Sequence, residues 1–184
     1  MADQIAGGIH AVPKRFADQG DGSYAERVEA GGRIIRAAPA SLPATSTSAY
    51  ASGDVLGAKM QLTGALRVAA GSGFLQDLTV ALKTNGLTGA LDAVLFRADP
   101  SGSTFTDNAA LNVVAADLDK VIGVVNMTKI TSLGGGTLYE ANQLARSIKL
   151  ASGQDIWMVL VWRSAPTLGS AADIAAVNAN IAVD

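Results

Sequence analysis

Hydrophobic and polar positions divide this chain into two parts. From Gly53 to Asp184 almost every stretch reads as a short β-strand bounded by Gly, Asp, Asn or Pro turns. Residues 54–68 form a first strand region interrupted near Gly64, and Phe74 to Lys83 alternates. There Leu78, Val80 and Leu82 face one way, and Asp77, Thr79, Ala81 and Lys83 the other. Leu91 to Phe96 is short and continuously apolar, the pattern of a strand buried on both faces. Residues 115–120 suggest a single helical turn, followed by a strand over Val121 to Met127 and a flexible tip at Gly134-Gly135-Gly136. Residues 146–150 alternate again, and residues 156–162 form the most apolar strand. The last strand turns Val177, Ala179, Ile181 and Val183 to one face and Asn178 and Asn180 to the other. Short strands at this spacing without amphipathic helices predict an all-β fold, an antiparallel β-sandwich or jelly roll, over residues 49–184.

Residues 1–48 read differently, as an extended N-terminal arm. Asp21-Gly22 is a tight-turn signal flanked by Phe16 on one side and Tyr24 and Val28 on the other, which predicts a small β-hairpin. An isolated two-stranded hairpin is marginal in water and needs something to pack on. Arg33-Ile34-Ile35-Arg36 adds one short strand, and residues 37–48 form a Pro/Ser/Thr/Ala linker without apolar periodicity. An arm of this kind cannot bury its own apolar side chains. Phe16, Tyr24, Val28, Ile34 and Ile35 are therefore the candidate anchors to a partner.

Composition narrows the chemistry. Hydrophobic residues make up 49% of the chain but aromatics only 5%, so layers are thin and Ala-rich. Charged residues are 16% with a net charge of −2, which offers no field for nucleic acid and a surface that repels neighbouring copies weakly. There is no cysteine, which excludes disulfides, thiol catalysis and Cys-ligated zinc. The N-terminus lacks the pattern of a secretion signal, and no apolar run approaches the ~20 residues of a membrane helix. The expectation is a soluble product of the cytoplasm that binds neither membrane nor nucleic acid.

Candidate reactive groups are few. His10 is the single histidine, set in a Gly-rich tail with no neighbour to orient the imidazole. Asp99, Asp107, Asp117 and Asp119 are numerous enough for a hard cation, yet they lack the alternating pattern and closing Glu of a calcium loop. Their settings are those of turns and caps. Paired carboxylates for glycoside hydrolysis would have to draw on three Glu, of which Glu26 and Glu29 lie in the arm and Glu140 does not. Gly71-Ser72-Gly73 and the Gly134 triplet lack the Lys-Ser/Thr that follows a phosphate loop. No catalytic, metal or cofactor residues are assigned, and the expectation is a non-enzymatic protein. Trp157 and Trp162 are five positions apart and so point to opposite faces of a strand, one to the core and one toward a possible subunit contact or a stacked sugar.

Two sets of residues resemble tailed-bacteriophage virion proteins. Arg15-Phe16-Ala17-Asp18-Gln19-Gly20-Asp21-Gly22-Ser23-Tyr24-Ala25 resembles the D-x-G-D-G-T-Y-A hairpin of many phage structural proteins. Residues 50–57, 95–100, 105–110 and 116–123 are similar in order to a group of small virion accessory proteins. The resemblance implies a jelly-roll-like capsid decoration or cement protein on the outer capsid surface. Its partners would be the major capsid protein and further copies of itself, with a trimer as the expected order. The alternative it leaves is a head-fibre or tail accessory protein with a glycan-binding β-domain.

Overall fold

The computed structural model describes residues 33–183 together with the backbone of three short strands nearer the N-terminus. The chain divides into two compact units, Met1–Gly32 and Arg33–Asp184. In the first, β1 (Ile5–Ala6), β2 (Lys14–Asp18) and β3 (Tyr24–Glu26) form a three-stranded antiparallel sheet with β2 in the centre. Phe16 pairs with Glu26 and Asp18 with Tyr24, so β2 and β3 are antiparallel neighbours joined through residues 19–23. The turn residues themselves, like Val28 and His10, lie outside the described residues.

The second unit is an antiparallel β-sandwich folded into a nearly closed barrel. Its strands are β4 (Arg33–Pro39), β5 (Val55–Thr63), β6 (Ser72–Leu82), β7 (Leu91–Phe96), β8 (Val121–Met127), β9 (Lys129–Ser132), β10 (Thr137–Ala141), β11 (Arg146–Lys149), β12 (Ile156–Trp162) and β13 (Ile174–Val183). They run β8-β7-β12-β5-β4-β13-β6-β10-β9, with β11 paired to β6. One leaf contains β8, β7, β12 and β5; the other contains β13, β6, β10, β9 and β11. Strand β4 joins them. Arg33 to Ala37 pair with β13, and Ala38 and Pro39 pair with β5, so one strand turns the corner between the leaves.

This placement moves the boundary. Residues 33–48, expected in an arm ending near Ala49, are part of the β-unit, which begins at Arg33. The linker is also built in. Thr45 donates from its backbone to Ala171 O and from its hydroxyl to Ser170 O, both at 2.9 Å. Pro43 lies against Gly57, whose φ of +77° and missing side chain make the contact possible; a Cβ there would sit 2.6 Å from Pro43 Cγ.

Between the leaves lies the main core, with Leu56, Leu62, Leu78, Leu91, Leu95, Met158, Leu160, Trp162 and Ile181 all fully enclosed. A second cluster of Val55, Val94, Phe96, Phe105, Val159 and Val161 sits on the outer face of β5, β7 and β12. It is covered by the segment between β7 and β8, which is why every residue of β7 is buried. That segment is fixed by backbone bonds between Val55 and both Asn108 and Ala109, and it ends in the 3-10 helix Ala115–Lys120. The helical turn, the strands β7, β8 and β12 and the inward face of β13 match the hydrophobic pattern. Strands β9 and β10 were not anticipated around the glycine tip.

Candidate functional site

Of the four aspartates that a cation would need, Asp99, Asp107 and Asp117 are each held by structural partners. Asp99 pairs with Lys59. Asp107 Oδ1 accepts from the Tyr50 hydroxyl at 2.8 Å and from the Gly57 N–H at 2.6 Å. Asp117 is buried and accepts from Ser103 Oγ and Lys120 Nζ, both at 2.7 Å. These partners hold its carboxyl below the usual carboxylate range, Lys120 first and Ser103 second. Elsewhere Asp92 bridges Asn126 and Arg163, Asp155 holds Gln61 and the Gly64 N–H, and Asp173 holds Thr84. Glu140 pairs with Lys129 at 2.8 Å across the outer face of β10 and β9. Among the described residues no three acidic or His side chains converge as a metal site. No helix among them is long and apolar enough to cross a membrane.

The two tryptophans do face opposite ways. Trp162 is fully buried, edge-on to Tyr139 at 5.8 Å between centroids and 6.2 Å from Tyr50. A side chain this enclosed in its own protomer cannot be a subunit contact, which removes Trp162 from that role. Trp157 is half-buried against the second cluster. With Ala40, Ser41, Lys59, Met60, Gln61 and Thr63 it lines a cleft of about 230 Å³, below the ~300–1,000 Å³ of common small-molecule sites. Lys59 Nζ lies 5.1 Å from the ring centroid, a cation–π contact on a ring face that a stacking sugar would need.

The proposed anchors are distributed just as unevenly. Phe16 and Tyr24 belong to β2 and β3 of the N-terminal sheet. Ile35 is partly buried against the main core of the β-unit, so it is not a free anchor. Ile34, one position away on β4, is 64% exposed. It does not stand alone. Ile34 pairs with Ala182 of β13, and Ala182 pairs with Phe74 of β6, itself 48% exposed. Directly paired residues share a face, so these three form an apolar row across the outside of the sheet. Beside it runs a polar row, Arg36, Asn180 and Asp77, set by the same pairings. A bulge at Gln76 separates the rows on β6 and keeps both Phe74 and Asp77 pointing outward. Phe74, Ala182, Arg36 and Asp77 carried no signal as a group, because their proximity exists only once β4, β13 and β6 are side by side.

No protein-family model, curated protein or solved structure matches this chain.

Proposed function

We propose that this protein is a non-enzymatic virion structural protein that binds the outer capsid surface as a cement or decoration protein and stabilises the shell. The observation that carries the reading is the division at Gly32 and Arg33. The described core of the β-unit runs through residues from Ala37 to Val183. What precedes is a small sheet containing the hairpin that resembles a phage structural motif. In this reading the N-terminal unit, through Phe16 and Tyr24, engages the major capsid protein, while the β-unit associates with copies of itself. Each contact is shallow, and repetition over a lattice makes the sum strong through effective concentration.

The test compares the full chain with a chain beginning at Arg33 and with the double variant Phe16→Ser/Tyr24→Ser. Binding is measured by co-sedimentation with phage heads that lack the protein. A truncation through residue 48 would be uninformative, because it removes β4 from between β5 and β13. The full chain is expected to co-sediment, and both altered chains to lose at least tenfold in affinity while keeping the circular dichroism of a β-protein. Unchanged binding by the chain beginning at Arg33 would sink the proposal.

A further inference from the structure

The outer face of β4, β13 and β6 has the symmetry of a surface built to meet itself. β13 is the middle strand and carries small or polar outward residues, Ala182 and Asn180. On its two sides stand unlike partners. In one row Ile34 lies on β4 and Phe74 on β6; in the next, Arg36 lies on β4 and Asp77 on β6. A two-fold axis lying along β13 in the plane between two facing sheets exchanges the β4 side of one copy with the β6 side of the other, leaving each row at its own level. Ile34 of each copy then meets Phe74 of the other across a gap left by the two Ala182 side chains. Arg36 of each copy meets Asp77 of the other. Asn180 faces its own copy, and an amide both donates and accepts.

The charges make the case specific. Strands lie ~4.8 Å apart, so Arg36 and Asp77 of one chain are separated by roughly 10 Å, with Asn180 between them. Within the chain Asp77 accepts from Asn180 Nδ2 at 2.7 Å, and Arg36 donates from Nε to Asn178 Oδ1 at 2.8 Å. Neither forms an ion pair among the described residues. Two opposite charges are thus held at matched heights on either side of the axis, each oriented by an amide.

From this we infer that the outer face of β4, β13 and β6 is an isologous contact between two copies of this chain. It deepens the self-association part of the proposed function and sets its order as a two-fold pair rather than a trimer. Three strands about 25 Å long offer on the order of 400 Å² per copy, about 800 Å² in all, the size of a weak, transient contact. The pair is accordingly expected to form only as concentration rises.

The test uses the full chain without capsids, by sedimentation equilibrium from about 1 to 200 µM. The wild type is expected to move from the 18.6 kDa protomer to twice that mass as concentration rises. Arg36→Asp alone and Asp77→Arg alone each place like charges opposite one another across the axis, and each is expected to stay monomeric. Mixing the two variants decides the matter. Arg36→Asp and the intact Asp77 of the first then face Asp77→Arg and the intact Arg36 of the second, so an equimolar mixture is expected to pair at least tenfold more tightly than either variant alone. That recovery cannot come from a misfolded chain. A wild type that stays monomeric, a different mass, a dimer that either substitution leaves intact, or a mixture that fails to pair would each overturn the inference. A monomeric wild type that still binds heads would overturn it while leaving the capsid reading in place.

Discussion

Asp107 is the residue whose removal tests the structural logic most directly. Its Oδ1 receives both the Tyr50 hydroxyl and the Gly57 N–H, and Tyr50 Oη in turn accepts the Ser46 N–H at 2.9 Å. One carboxylate therefore fixes the crossing from β4 to β5, a segment with no apolar periodicity of its own. Tyr50 is buried, and its hydroxyl is held above its ordinary range by that burial first and by Asp107 second. Hydrogen bonds to a charged acceptor contribute ~1.5–3 kcal/mol each, and both donors would be left in a largely enclosed site. Asp107→Ala is thus expected to cost about 3–5 kcal/mol. In a chain of this size that corresponds to a fall in Tm of roughly 10 °C. Asp107→Asn keeps an acceptor oxygen but not the charge and is expected to cost about half as much. Tyr50→Phe removes the bond to Asp107 and the one accepted from the Ser46 N–H, but leaves the Gly57 bond, and should fall near Asp107→Asn. Urea unfolding followed by circular dichroism and Trp fluorescence measures all three. A loss below ~1 kcal/mol for Asp107→Ala, or an equal loss for Asn and Ala, would refute the account.

Three further substitutions probe the core and the seam. Tyr139 is fully buried with no hydrogen-bond partner for its hydroxyl among the described residues, and burial pushes its pKa up to about 12. Tyr139→Phe should leave stability unchanged or raise it by up to ~1 kcal/mol, since an unpaired buried hydroxyl is removed. The neutral phenol is the form the fold favours, so its contribution is complete below the unfolded pKa near 10 and is lost as pH rises toward about 12. The Phe variant should therefore lose stability less steeply over that window in denaturation curves taken from pH 9 to 12. At the barrel seam, Arg146 of β11 donates to the carbonyls of Ile122 and Val124 on the edge strand β8, at 3.5 and 3.2 Å. Gly123 between them has φ +151°, and a Cβ there would run into Arg146 Nη1. Gly123→Ala is expected to cost ~1–3 kcal/mol and Arg146→Ala ~1 kcal/mol. Because both disrupt the same latch, the double variant should lose clearly less than the sum, and additive losses in a double-mutant cycle would dismiss it.

Much of the β-unit was legible in the chain because a strand's two faces differ in polarity. Alternation at Phe74 to Lys83 and at Val177 to Val183 marks the buried sides of β6 and β13, and the continuous run of Leu91 to Phe96 marks a strand covered on both sides. Strand β4 was visible as a strand but assigned to the arm. Its neighbours are β13, more than 140 positions later, and β5, beyond an aperiodic linker, and nothing local encodes such partners. The linker shows no apolar period for the same reason: Pro43 and Thr45 are held by Gly57, Ser170 and Ala171, contacts that only the folded chain supplies.

The sequence by itself determined an all-β chain, turns at their glycines and aspartates, opposite faces for Trp157 and Trp162, and a distinct N-terminal hairpin. Those properties follow from local backbone preference and two-residue periodicity. Tertiary structure alone decided that the β-unit starts at Arg33, that Trp162 is core, that Asp99, Asp107 and Asp117 are held by structural partners, and that Ile34, Ala182 and Phe74 form one row. The physical reason is that strand pairing is set by long-range burial. A sequence shows which residues share a strand face, but only the closed sheet brings faces from distant strands together.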